Sequence, residues 1–89
     1  MTDLAGLGLR AGEKVRFRRE AQQRWHNGVA TRVERDGSLG ITDEKGAARA
    51  LPLQLVEVRC AGPRGGNGWE PLLDRATRTE QLVLFPTLR

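Results

Sequence analysis

The sequence predicts a small, mainly β domain: five short strands closed into a barrel, followed by a C-terminal helix and a tail. Three observations carry this expectation. Polar and apolar residues alternate with period two in Lys14-Val15-Arg16-Phe17-Arg18 and in Ser38-Leu39-Gly40-Ile41-Thr42. Tight-turn residues, Asp36-Gly37 and Asp43-Glu44-Lys45-Gly46, separate such runs. Several short strands within some fifty residues need closure to hide their edges.

The elements follow in order. Residues 1–9, interrupted by Gly and Ala, read as a flexible N-terminal arm, and the barrel is expected over residues 10–60. Ala11-Gly12-Glu13 is a turn signal, after which Val15 and Phe17 point inward from the first strand. The second strand runs from Gly28 to Arg35, with Val29, Thr31 and Val33 sharing one face. Asp36-Gly37 makes a hairpin into the third strand, where Leu39 and Ile41 face the core, and Ala48-Arg49-Ala50-Leu51 forms the fourth. Pro52 cannot donate to a ladder and marks a kink or a short helical turn before the closing strand, Leu55 to Arg59. Residues 61–68 are rich in glycine and read as a linker. Residues 69–80 read as a helix with Pro71 in its first turn, Leu72, Leu73 and Ala76 on one face, and Asp74 four residues from Arg78. Trp69 packs on the barrel or against Leu73, and the arm as a whole is placed to cap an open barrel end. Residues 81–89 form the tail.

Composition bounds the function. A chain of 89 residues supports one domain. With no long apolar run and no signal-like start, the expected location is cytoplasmic, with no membrane partner. One cysteine, Cys60, and one histidine, His26, supply neither an internal disulfide nor a protein-only zinc site, so no cofactor or metal is expected. Acid-base and nucleophilic schemes need two positioned groups, so the chain reads as a binding module rather than an enzyme, with no small-molecule substrate. Cys60 ends an apolar strand, the usual setting of a small core residue. Arg64-Gly65-Gly66-Asn67-Gly68 lacks the spacing and the lysine of a phosphate loop.

Fifteen basic residues against eleven acidic ones give a net charge of +4. Arg10, Lys14, Arg16, Arg18, Arg19, Arg24, Arg32 and Arg35 crowd the N-terminal part against Asp3, Glu13, Glu20 and Glu34. Arginine forks match phosphate oxygens, so Arg16, Arg18, Arg19, Arg24 and Arg32 are candidate contacts to DNA or RNA. The competing explanation is a solvated face of alternating strand residues.

Gly12-x-x-Val15-x-Phe17, Trp25-x-x-Gly28, Asp36-Gly37, Asp43-x-x-Gly46 and the closing strand together resemble the SH3-like barrels of the KOW and Tudor type, over residues 10 to 59. The resemblance implies binding to nucleic acid, to ribosomal or polymerase partners, or to modified peptides, and selects none of them. Tudor domains that read methylated side chains use an aromatic cage, whereas this barrel region holds Trp25 and Phe17 and the chain has no tyrosine.

Gln81-Leu82-Val83-Leu84-Phe85, followed by Pro86, resembles the bacterial sliding-clamp-binding peptide, Gln-Leu-x-Leu-Phe, at all four specified positions. The resemblance assigns Gln81 to a polar subsite on the clamp, Leu82 to a supporting contact, and Leu84 with Phe85 to an apolar pocket. Two apolar anchors beside one hydrogen-bonding group are enough to hold a short extended peptide. Four fixed positions recur by chance in roughly one chain of this length in a thousand. The expected function is therefore a DNA replication or repair adaptor, nucleoid-associated through the clamp. The alternative is a KOW-like nucleic-acid or ribonucleoprotein module whose C-terminal segment only caps the barrel, with Leu84 and Phe85 in the core.

Overall fold

A computed structural model describes residues 3–20, 22–61 and 66–84, with residues 67 and 81–84 described by their backbone. Among the described residues six strands, β1 (Lys14–Phe17), β2 (His26–Val33), β3 (Leu39–Asp43), β4 (Ala48–Leu51), β5 (Val56–Ala61) and β6 (Asn67–Pro71), precede one α-helix, α1 (Leu72–Leu84). The strands form one antiparallel sheet in the order β4-β3-β2-β1-β5-β6, open from β4 to β6 among the described residues. The expected strand count of five is thus corrected to six. Among the described residues no helix is long and apolar enough to cross a membrane.

The hairpins follow from their turn chemistry. Gly37 and Gly46 take φ values of 90° and 84°, a region closed to most side chains. Asp36 Oδ1 accepts the Ser38 N–H at 3.0 Å, and Asp43 Oδ1 accepts the N–H groups of Lys45 and Ala47, each at 2.9 Å. Each carboxylate thereby closes its own turn. After Pro52 the chain makes a 3-10 turn, Leu53–Leu55, the helical alternative of the two that the proline allowed.

Val15 and Phe17 are buried as expected, with Leu39, Ile41, Leu51, Val56 and Val58. β2 departs from its expected phase. Ala30, not Val29 or Thr31, is fully buried, and a register shift between Ala30 and Arg32 returns Val33 to the core side. Gly28 sets this phase: a Cβ there would lie 2.6 Å from Ile41 Cγ2 and 2.7 Å from the Thr42 carbonyl oxygen, so only glycine passes. An alternation of Val, Thr and Val is persuasive in sequence, but it faces outward until the bulge.

Segments before β1 and after β6 join the core. Leu7 and Leu9, expected in a loose arm, are buried beside a 3-10 turn at Ala5–Leu7. Burying a leucine contributes about 1.5–3 kcal/mol, which offsets the entropy of ordering this segment. The helix expected from residue 69 begins at Leu72, because Trp69, Glu70 and Pro71 continue β6, with Arg59 opposite Trp69 and Cys60 opposite Gly68. Proline is tolerated there because β6 is an edge strand. Of the expected linker 61–68, Ala61 ends β5, residue 66 leads into β6 and residues 67 and 68 belong to it, while 62–65 lie outside the described residues.

α1 buries Leu72 and packs Ala76 on the core, whereas Leu73, expected on the same face, is exposed. Arg75 takes the place in the inward stripe that spacing reserves between Leu72 and Thr79. Its guanidinium pairs with Glu13 and with Glu70, the latter at 3.2 Å, and donates to the Arg59 carbonyl at 2.9 Å. Arg78, expected to pair with Asp74, donates instead to Glu70 at 2.7 Å. Gly8, at φ 79°, lets the helix approach: a Cβ there would lie 2.4 Å from Thr79 Oγ1.

Candidate functional site

Alternation along β1 puts Lys14 and Arg16 on the face of the sheet opposite the core, with Arg18 continuing the pattern beyond the strand end. Strand pairing sets Arg16 across from Asn27 of β2 and Glu57 of β5, and Lys14 across from Val29. Val15 pairs with Val58, so the ladder brings Lys14 beside Arg59, whose own partner is Trp69. Trp25, just before β2, lies beside Arg18. This face therefore gathers residues from the turn before β2 and from β1, β5 and β6.

The two tryptophans and the arginines interleave. The Arg16 guanidinium carbon is 4.5 Å from the Trp25 ring centre and 4.9 Å from that of Trp69. Arg18 stands 4.1 Å from the Trp25 ring centre, and Arg59 stands 6.0 Å from that of Trp69. Each such contact contributes about 0.5–1 kcal/mol at a half-exposed site and fixes the plane of the guanidinium. Arg16 is also fixed from below, donating from Nε to Glu57 Oε1 at 2.8 Å. Glu57 is the partner of Arg16; among the described residues Lys14, Arg18 and Arg59 have no carboxylate within ion-pair distance.

Beside Trp69 and Arg59 a groove of about 450 Å³ crosses β1, β2 and β3, floored by Val29 and Thr42 and reached by Lys14 and Asn27. Its far rim carries Asp43 and Glu44. Asp43 is committed to its turn: a hydrogen bond from Arg49, 2.7 Å away, and the backbone N–H of Ala47 hold its carboxyl below the usual range. A second cleft of about 310 Å³, near Phe17, Arg19, His26 and Arg49, mixes both signs of charge.

The structure brings Arg16 and Arg18 together but separates the other expected arginines. Arg19 lines the second cleft, Arg24 is exposed before Trp25, and Arg32 lies beyond the β2 bulge, paired with Glu34 at 3.2 Å. Lys14, Arg59 and Trp69 were missed. Lys14 and Arg59 were legible in the alternation of their strands, whereas Trp69 was hidden by the expectation that it opened a helix. Gln81, Leu82 and Leu84 occupy the last turn of α1, and Phe85 lies outside the described residues.

Comparison with protein families, with curated proteins and with solved structures finds no match for this chain.

Proposed function

We propose that this chain is a non-enzymatic adaptor of DNA replication or repair, which engages the bacterial sliding clamp through Gln81, Leu82, Leu84 and Phe85 and uses its sheet as a scaffold. The observation that carries this reading is the sequence match itself, Gln81-Leu82-x-Leu84-Phe85 at all four specified positions, beginning in the last turn of α1. Leu72 and Ala76 pack on the core, Arg75 and Arg78 bind Glu70, and Thr79 lies against Gly8, which ties residues 72–79 to the sheet, and the backbone of residues 81–84 continues the same helix.

An extended clamp ligand requires the last turn of α1 to unwind. Helix propagation stabilises each residue by at most about 0.3 kcal/mol, so releasing Gln81 to Leu84 costs on the order of 1 kcal/mol. Two apolar anchors in a preformed pocket exceed that cost several-fold. The test is binding of the full-length chain to the clamp by surface plasmon resonance, with Gln81→Ala/Phe85→Ala as the control. The reading expects binding that the double variant loses; absence of binding, or equal binding by both proteins, overturns it.

A second reading is favoured by the arginine and tryptophan face: a KOW-like nucleic-acid module in which the C-terminal segment only caps the sheet. What supports an SH3-like barrel here is that β5 pairs with β1 and that β1 to β5 all supply side chains to one core. This reading expects affinity that falls steeply with salt. In either case the proposed location is cytoplasmic, and the clamp reading places the chain at the nucleoid.

A further inference from the structure

We propose that the outer face of β1, β5 and β6 binds single-stranded nucleic acid, with phosphates on Lys14, Arg18 and Arg59 and one base stacked at Trp69 in the adjoining groove. This inference rests on the second reading and is independent of clamp binding.

Charge selects the class of ligand. Four cations, Lys14, Arg16, Arg18 and Arg59, meet one carboxylate, Glu57, on this face, and that carboxylate is held by Arg16. The remaining three cations are free of ion pairs among the described residues and are spread along the sheet. Lys14 and Arg18 are four residues apart, about 13 Å along an extended strand, and Arg59 stands one strand over. Such a track suits a phosphate backbone rather than a single anion.

Arg16 has a different part. Sandwiched by Trp25 and Trp69 and tied to Glu57, it is a positioning residue that holds both indoles in place. Trp69 touches Arg16 and also lines the groove, so its ring is presented there with Val29 and Thr42 as an apolar floor and the Asn27 amide beside them. A flat, partly polar ring fits this lining. The acidic rim of Asp43 and Glu44 keeps phosphates on the Lys14 and Arg59 side and directs the base inward. Paired bases are already stacked on their neighbours, which is why a single strand, and not a duplex, meets these requirements.

The experiment is fluorescence anisotropy of the full-length protein with a labelled oligothymidine of about 12 nucleotides, with oligouridine, a duplex of the same length and polyglutamate as further arms. Trp69→Ala is expected to weaken single-strand binding roughly 5- to 150-fold, while Trp69→Phe, which keeps a ring, retains most of it. Lys14→Gln and Arg59→Gln each lower the salt slope by about 0.7, whereas Arg32→Gln leaves it unchanged. Oligouridine bound as well as oligothymidine supports the proposal, because neither phosphate nor ring face differs. Binding that survives Trp69→Ala, Lys14→Gln and Arg59→Gln overturns the assignment of this face and leaves the second reading intact. Preference for the duplex, or equal competition by polyglutamate, overturns the single-strand ligand. No binding to any nucleic acid at low salt overturns both the inference and the second reading.

Discussion

Replacing Arg75 tests how the helix is held to the sheet. Its side chain is 15% exposed and its guanidinium serves Glu13 before β1, Glu70 of β6 and the Arg59 carbonyl of β5. A hydrogen bond to a charged group is worth about 1.5–3 kcal/mol when its loss strands a buried partner. Here the loss is smaller than the sum of the contacts, because Glu70 keeps Arg78 and Glu13, 24% exposed, can turn to water. Arg75→Met, which preserves the aliphatic stem, should therefore destabilise by about 2 kcal/mol, and Arg75→Ala by about 3 kcal/mol as packing of the stem is also lost. Arg75→Lys keeps the charge but not the fork and falls between wild type and Met. Urea unfolding followed by circular dichroism measures this directly. With a slope of about 1 kcal/mol per M, Arg75→Met lowers the midpoint by about 2 M. A change under about 0.5 kcal/mol, the range of an ordinary surface substitution, would refute the claim that this arginine holds the helix in place.

The other predictions concern the core, the sheet and acid stability. Leu7→Ala and Leu9→Ala should each cost about 2–4 kcal/mol in the same assay, since both leucines are buried; costs below about 0.5 kcal/mol would show that the N-terminal segment does not share the core. Gly28→Val should leave the chain unfolded by near-ultraviolet dichroism, because the added carbon meets backbone at Thr42 as well as Ile41; a native spectrum would contradict the inward placement of Gly28. Hydrogen bonding from Arg78, and then from Arg75, holds the Glu70 carboxyl below its ordinary value. Its stabilisation is thus complete above about pH 4.3, the unfolded value, and is lost as pH falls through the lower folded value. Glu70→Gln should consequently lose less stability on acidification than the wild type, as read from urea midpoints at each pH; parallel losses would show that the pairing does not persist in solution.

Local chemistry made the centre of the fold legible. Asp36-Gly37 and Asp43 to Gly46 placed two hairpins because one glycine and one carboxylate per turn leave few alternatives, and β1 followed from Val15 and Phe17. β2 was misphased because Gly28 and Ala30 carry almost no hydrophobic signal, although their smallness is what admits Ile41. β6 was missed for a related reason: glycines and a proline suggest linker and helix start, and only pairing with β5, remote in sequence, makes the segment a strand. Tertiary pairing overrides such local preference routinely. At the candidate site, Arg16 and Arg18 could be read from alternation, but their roles could not. The sandwich that makes Arg16 a spacer needs Trp69, and Trp69 is brought there by a strand the local pattern conceals.

Gly8 leaves the ribosome 67 residues before Arg75, the residue whose guanidinium reaches its carbonyl. Until α1 has been synthesised, Glu13 lacks this partner and Leu7 and Leu9 lack the helix beside them. A contact of such long range is slow to form, because the intervening chain must be closed into a loop first. The fold is thus locked from its C-terminal side, and chains interrupted before Arg75 should remain open, targets for proteolysis rather than competitors for a partner.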